Sequence, residues 1–349
     1  MNILLNILFM IIGLALLIKG SDIFVDAGTN IGKMFKMSEV LIGLTIVCVG
    51  TGLPELILSI NGSLNGSSNL VIGNIVGTNL FNMCIILGLI CIFNPLKLLR
   101  QTVRKDMHMS LLASAALFFL LLDNAQNKYA LNVLSITDGI ILLMFFAVFV
   151  YYTFYETTEY LRDRREKKYQ EQKEKRLSNG SPNHIDEKPK PKTYTTKDIK
   201  ILFKNILIAI IGIAMVHIGA DITVDNTVKI AEFFNVSQTF ISIVIISVGT
   251  SLPELTTSYA AVKKNRINIA IGNLIGSNMF NTLCVLGIST LINPIVIEGN
   301  YLLIDCVVFM FVCLVMVLFT KRKPEISKME GFSLMSIYIF YITYVIFRR

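Results

Sequence analysis

The chain has 349 residues, of which 54% are hydrophobic and only 16% charged, and its mean hydropathy is +0.64. A typical soluble domain carries about 25% charged residues, so this composition excludes an ordinary water-soluble enzyme, a disordered chain and a disulfide scaffold. The net charge of +8, from 32 Lys+Arg against 24 Asp+Glu, falls in short gaps between apolar runs and in one polar stretch. That distribution follows membrane topology rather than a nucleic-acid groove, so the partner expected is the lipid bilayer and not nucleic acid.

In chain order, apolar runs long enough to span, roughly 20 residues each, are expected at 2–20, 37–63, 69–94, 107–123, 131–156, 201–220, 237–262, 268–293, 301–320 and 330–347. The first lacks a basic n-region and a small-residue cleavage site, and reads as a span rather than a signal peptide. Alternate gaps are basic: Lys97, Arg100, Arg104 and Lys105; the stretch 157–200 with 13 Lys+Arg against 8 Asp+Glu; Lys263, Lys264 and Arg266; and Lys321, Arg322 and Lys323. Basic gaps are cytoplasmic, which puts the N-terminus outside and 157–200 inside. Arg348 and Arg349, at the C-terminus, are the one break in that rule. Within the linker, 162–176 is a mixed-charge run expected to extend a helix into water, and 177–192 has the composition of disorder. The membrane itself is expected to be the cell membrane.

A shift of 199 residues lays 49–88 on 248–287 without a gap, with 18 of 40 positions identical. Gly13, Gly20, Asp22 and Asp26 fall on Gly212, Gly219, Asp221 and Asp225 at the same offset. Each half holds five spans, an odd number, so the second half enters from the other side. The fold expected is an all-α polytopic membrane protein: ten transmembrane helices as two inverted five-helix repeats, 1–156 (repeat core 37–94) and 201–349 (repeat core 237–293). That architecture is typical of secondary transporters, with the site at the midplane between the repeats.

Glu55 and Glu254 occupy one repeat position inside spans two and seven. An ionised side chain at the bilayer centre costs roughly 2.5–3.5 kcal/mol on insertion scales, and a matched pair of such costs points to a function. Each follows a break, Gly50-Thr51-Gly52-Leu53-Pro54 and Gly249-Thr250-Ser251-Leu252-Pro253. The proline leaves carbonyls, placed near Cys48 and Ser247, without a donor, and such a break is tolerated only where it lines a cavity or a ligand. Asn74, Thr78 and Asn82 form a polar stripe in span three, matched by Asn273, Ser277 and Asn281 in span eight. The Gly73/Gly77 and Gly272/Gly276 pairs by themselves mean only close packing.

The set supplies carboxylate, hydroxyl, amide and carbonyl oxygens. The six cysteines lie in apolar runs as small buried hydrophobes, and His108, His184 and His217 are scattered. All-oxygen coordination suits hard cations such as Ca²⁺, at about 2.3–2.6 Å with 6–8 ligands, or Na⁺. One Ca²⁺, two Na⁺ or two protons neutralise two carboxylates, and ions competing for one site that faces alternate sides give antiport. No nucleophile–base pair or resident cofactor is indicated, and a non-transport scaffold leaves the paired glutamates unexplained.

The doubled GT[GS]LPEL…GN..G[TS]N.FN signature resembles the repeats of the sodium/calcium exchanger family within the cation/calcium antiporter superfamily, particularly its short prokaryotic members. The resemblance implies exchange of Na⁺ for Ca²⁺ by alternating access, with spans one and six moving against the core. It implies Glu55 and Glu254 as central ligands of both ions, and Thr51, Thr78, Thr250, Ser251 and Ser277 as flanking Na⁺ ligands. Asn82 and Asn281 then face the same cluster. Two positions depart from the family pattern. Gly52 stands where a hydroxyl is common, and Asn281 is not the acid of K⁺-dependent relatives, which implies no K⁺ requirement. Ca²⁺/H⁺ exchange is the alternative coupling. The family resemblance leaves the oligomeric state open.

Overall fold

The computed structural model describes residues 3–93, 96–97, 102–122, 132–178, 195–234, 247–297, 301–322 and 325–347. In chain order the helices are α1 (Ile3–Met34), α2 (Glu39–Thr51), α3 (Leu53–Leu64), α4 (Ser68–Phe93), α5 (Thr102–Leu122) and α6 (Ile136–Ser178). They continue with α7 (Thr196–Phe233), α8 (Ser247–Thr250), α9 (Leu252–Lys263), α10 (Ile267–Ile292), α11 (Tyr301–Arg322) and α12 (Lys328–Phe347). Among the described residues eight helices are long and apolar enough to cross a membrane, or nine if α2 and α3, which meet at 46°, form one broken span. The expected span 237–262 begins at 237–246, outside the described residues; α8 and α9 are its remainder. Of the linker stretch 177–192, the first two residues end α6 and the rest lies outside the described residues.

Helices are imposed because hydrocarbon offers backbone groups no water, and a helix satisfies them within one segment. Three run well past the apolar windows. α1 has 32 residues and α7 has 38, against windows that closed where the first aspartate appeared. At 1.5 Å per residue α1 is about 48 Å long, more than the roughly 30 Å hydrocarbon layer. Hydropathy ends at Asp22; helical hydrogen bonding does not. α6 continues for 43 residues through the charged run, as the composition predicts, with Arg162 and Glu166 paired one turn apart at 3.6 Å.

Small residues let four pairs of helices meet backbone to backbone. α1 and α7 touch through Gly13, Gly20, Gly212 and Gly219: a Cβ on Gly212 would lie 2.8 Å from the Phe24 nitrogen, and one on Gly13 would lie 2.9 Å from the Gly219 carbonyl oxygen. α2 of the first half crosses α10 of the second at Gly43 and Gly272, where a Cβ on Gly43 would sit 2.7 Å from the Asn273 nitrogen. The third close approach comes twice. Gly88 on α4 packs on the Gly331 carbonyl of α12, and Gly287 on α10 packs against Gly139 of α6. Beside these, Phe81 stacks edge-on with Tyr338 (centroids 5.8 Å, 72°) and its repeat mate Phe280 does the same with Phe146 (6.0 Å, 65°). Each half's third span thus leans on the last span of the other half.

The connections are tied together in three sets. In one, the strand Leu96–Lys97 (β1) pairs antiparallel with Glu325–Ile326 (β4). In the second, Asn268 donates to Glu39 at 3.3 Å, and the Lys264–Arg266 turn meets the second half of α1. In the third, Asn132–Leu134 (β2) pairs antiparallel with Ile295–Ile297 (β3), Asn293 donates to the Ser63 carbonyl at 3.0 Å, and the Val296 N–H donates to Ser68 at 3.1 Å.

Replacing Gly212 by Leu drives a branched side chain into the backbone of Phe24, which cannot swing away as a side chain would. The expected cost is about 1–3 kcal/mol, read as a lower melting temperature of the detergent-solubilised protein. Gly66→Asn is the matched control. Gly66 has φ +69° with open space around it, and its repeat mate is Asn265 at φ 56°. That change should stay within about 0.5 kcal/mol. Equal melting of Gly212→Leu and the parent would refute the α1–α7 contact.

Candidate ion-binding site

The shape of the site begins with a missing hydrogen. Pro54 cannot donate to the carbonyl four residues back, so α2 stops at Thr51, Gly52 takes φ −82°, ψ 0°, and the chain restarts as α3. The second half repeats this: α8 stops at Thr250, Ser251 takes φ −92°, ψ 2°, and Pro253 lies in the first turn of α9. At Cys48 the expectation of a freed carbonyl is corrected here. Cys48 is bonded, accepting from the Gly52 N–H at 2.9 Å and the Thr51 hydroxyl at 3.4 Å. The spacing of the helical bond makes Gly50 the orphan of Pro54. Its carbonyl is met by His217 Nε2 of α7 at 3.1 Å, which requires the proton on Nε2. No sequence motif marks His217, whose repeat mate is Ile18; the only available signal is the residue four before the proline.

The break also sets the two acids. Glu55 lies in the first turn of α3 and Glu254 in the first turn of α9, where unpaired N–H groups make the helix end partly positive. They are 1% and 0% exposed, and each lies within the other's electrostatic field, with Thr51 against Glu254. Thr51, Ser251, Ser277, Asn82 and Asn281 are fully buried and Thr78 nearly so, one helical turn before Asn82 on α4. Thr250 is half-buried at the end of α8. Asn82 opens a π turn (Asn82–Ile86), and Asn281 lies in the matching one, Phe280–Val285. Such turns widen the helix and are frequent at functional sites.

Three further residues, absent from the expected ligand set, tie the halves together. The Thr51 hydroxyl donates to Asn273 Oδ1 at 3.3 Å, and Asn273 Nδ2 donates onward to Ser258 at 3.1 Å and Thr257 at 3.3 Å. Asn79 of the first half donates to Thr282 of the second at 2.8 Å and accepts from Asn281 Nδ2 at 3.4 Å. That contact leaves Asn281 Oδ1 as its ligand-capable atom. Asn79 was legible only as a third polar residue in a GTN motif already assigned. At Gly52 the missing hydroxyl is replaced by ring: a Cβ there would lie 2.9 Å from Phe280 Cδ1.

The buried side-chain atoms without a hydrogen-bond partner include both oxygens of Glu55, both of Glu254, Ser251 Oγ, Ser277 Oγ, Asn281 Oδ1 and both polar atoms of Asn82. Unpaired buried oxygens of this kind are rare and costly. Among the described residues no group of three or more His, Cys, Asp or Glu is assembled, so the donor set is hard and mostly neutral, with two charges. It fits hard cations.

The sequence profile described as Sodium/calcium exchanger protein matches residues 5–155 and 204–347, omitting the linker. Sodium/calcium exchanger MaX1 of Methanosarcina acetivorans is 30% identical over 353 residues, 97% of each chain. Inner membrane protein YrbG of Escherichia coli strain K12 is 29% identical, over 92% of this chain and 91% of its own. A solved structure of the sodium-calcium exchanger NCX_Mj, soaked with zero Na⁺ and Ca²⁺, superposes with a TM-score of 0.76 at 27% identity, covering 98% of this chain and 99% of that one.

His217→Leu strands the Gly50 carbonyl in a buried setting and should cost about 1–3 kcal/mol, whereas His217→Gln, which keeps a donor, should recover most of it. Thermal unfolding in detergent reads both; identical losses in the two variants would show that the bond to Gly50 contributes nothing.

Proposed function

The chain belongs to the sodium/calcium exchanger protein family, and from that premise we propose that it is a secondary antiporter exchanging Na⁺ for Ca²⁺ by alternating access, without a K⁺ requirement. It is an integral multi-pass membrane protein and a transporter, not an enzyme. The observation that carries the proposal is the pair of buried, unpartnered carboxylates at Glu55 and Glu254. A helix N-terminus offsets about 0.3–1 kcal/mol per charge, against roughly 2.5–3.5 kcal/mol for each ion at the bilayer centre. The dipoles therefore do not balance the pair, and a cation does.

In this reading Glu55 and Glu254 bind Ca²⁺ and Na⁺ in turn. Thr51, Thr78, Thr250, Ser251 and Ser277 add hydroxyl or carbonyl oxygens for Na⁺, and Asn82 and Asn281 add amide oxygens. Asn281 is neutral and held by Asn79, so no third charge is available to retain a K⁺. The Gly-packed α1–α7 pair moves against the core formed by α2–α4 and α8–α10.

The same proposal includes ten crossings in two inverted halves, 1–156 and 201–349. It places the N-terminus outside, 157–200 in the cytoplasm, and the protein in the cell membrane. The pairing of connections supports this sidedness: β1 and β4, which pair, both lie in connections that loop charge assigns to the cytoplasm, and β2, β3 and the Ser63 and Ser68 contacts all lie in connections assigned to the outside. The duplicated contacts of Gly88 with Gly331 and Gly287 with Gly139 support the two-fold relation.

One observation favours a second coupling, Ca²⁺/H⁺ exchange. Phe280 fills the space where a hydroxyl on residue 52 would stand, so the first half offers Na⁺ one ligand fewer than the second, where Ser251 is present.

Purified protein in Na⁺-loaded proteoliposomes, with no pH gradient and no K⁺, should take up ⁴⁵Ca²⁺. Choline in place of internal Na⁺ should abolish the uptake. Glu55→Gln and Glu254→Gln should each reduce flux to background while the protein stays monodisperse. Na⁺-driven flux persisting in both variants would sink the site, and uptake driven only by an outward proton gradient would move the coupling to H⁺.

A further inference from the structure

The two halves end their second spans in the same turn. In the first, the N–H groups of Asn65, Gly66 and Ser67 bond back to the carbonyls of Asn61, Ser63 and Gly62; in the second, those of Lys264, Asn265 and Arg266 bond back to Ala260, Val262 and Ala261, position for position. The middle residue is left-handed in both, Gly66 at φ +69° and Asn265 at φ 56°. α1, which meets the second turn, carries the acid pair Asp22/Asp26, and α7 carries Asp221/Asp225 at the matched positions of the other half. Only the bases differ. Where the second turn has Lys264 and Arg266, the first has Asn65 and Ser67.

On the second turn the charges are engaged. Lys264 Nζ lies 2.9 Å from Asp26 Oδ2 and 3.3 Å from Asp22 Oδ1, and donates to the Asp22 carbonyl at 2.7 Å. Arg266 Nη1 lies 3.0 Å from Asp26 Oδ1 and donates to the Thr29 hydroxyl at 2.8 Å. One turn deeper, Ser21 donates to Thr256 of α9 at 2.8 Å. Both basic side chains are largely covered, at 22% and 23% exposure. Among the described residues Asp221 and Asp225 form no ion pair.

We infer that Lys264 and Arg266 are positioning residues of the exchange cycle: they latch the cytoplasmic half of α1 onto the core and bias the transporter toward the state closed on that side. Asp26 is the hub, bonded by both cations. The mirror-related gate at α7 has the acids without the bases, so the two states related by the pseudo-two-fold are held unequally. A binding-competent state that is less populated weakens apparent affinity in proportion; the latch therefore weakens ion binding from the cytoplasmic face and strengthens it from the external face.

The inference rests on the exchanger reading only for its transport arm. Lys264→Gln/Arg266→Gln is compared with the parent in everted and right-side-out membrane vesicles, measuring the ⁴⁵Ca²⁺ KM at each face. Partly exposed ion pairs each shift a two-state balance by up to about fivefold. The ratio of cytoplasmic to external KM should therefore fall about three- to tenfold, with the two KM values moving in opposite directions. Asp26→Asn should move it the same way, and combining all three changes should add little, because one set of contacts is removed only once. High salt should reduce the difference between parent and variant. Hydrogen–deuterium exchange in detergent provides an arm independent of transport: residues 22–34 and 262–268 should exchange faster in the double variant. KM values that shift together at both faces, additive effects, or unchanged hydrogen exchange would overturn the latch. A parent that transports no Ca²⁺ would overturn the exchanger reading alone, with hydrogen exchange still deciding the latch.

Discussion

Two carboxylates share one apolar interior, and no base in the described residues pairs with either. That constraint organises the structure around them. It calls for helix N-termini at mid-chain, which only a break can supply, and so each glutamate follows a proline in the first turn of a restarted helix. It calls for neutral oxygens in quantity, which the π turns at Asn82 and in Phe280–Val285 bring inward. It also forbids a resident counter-ion: a lysine in the same space would neutralise the pair permanently, and the protein would gain stability and lose any reason to bind a cation. The unfilled hydrogen-bonding capacity of Glu55, Glu254, Ser251 and Ser277 is the structural form of that compromise.

Much of this was legible in the sequence because bilayers restrict the alternatives. Apolar runs of sufficient length have to be helices, loop charge orders them, and two copies of LPEL and GN..G[TS]N.FN fix which residues correspond. Boundaries were less legible wherever polarity and helicity part company. The α1 helix runs through Asp22 and Asp26, which meet Lys264 and Arg266 some 240 residues away; nothing local to α1 announces those partners. The roles of His217 and Asn79 were hidden for a related reason. Each completes a bond begun in another span, and pairing across spans depends on the depth at which helices cross, which periodicity does not encode. The consequence of Gly52 was likewise half visible: the sequence exposes the absent hydroxyl, and only the packing exposes Phe280 in its place.

Duplication gives the two halves one frame, and the departures from it decide what the frame does. A transporter built from two inverted halves with identical contacts would hold its inward-open and outward-open states at equal free energy, since each is the image of the other. This chain keeps the identity where geometry requires it, at the prolines, the glutamates and the glycines of α1 and α7, and keeps the left-handed conformation at Gly66 and Asn265. It departs from identity at contacts that only one half supplies. Thr282 gives Asn79 a partner, whereas its repeat mate Met83 offers Asn278 none of that chemistry. Ser251 keeps a hydroxyl that Gly52 lacks. Lys264 and Arg266 bind α1, whereas Asn65 and Ser67 carry no charge for α7. Each difference is small against the cost of burying the glutamate pair. Against the difference between two mirror-related states, which symmetry would set to zero, each is large. Under the exchanger reading, the substitutions at Lys264 and Arg266 act away from the glutamates, whereas those at Gly52 and Thr282 act within the site.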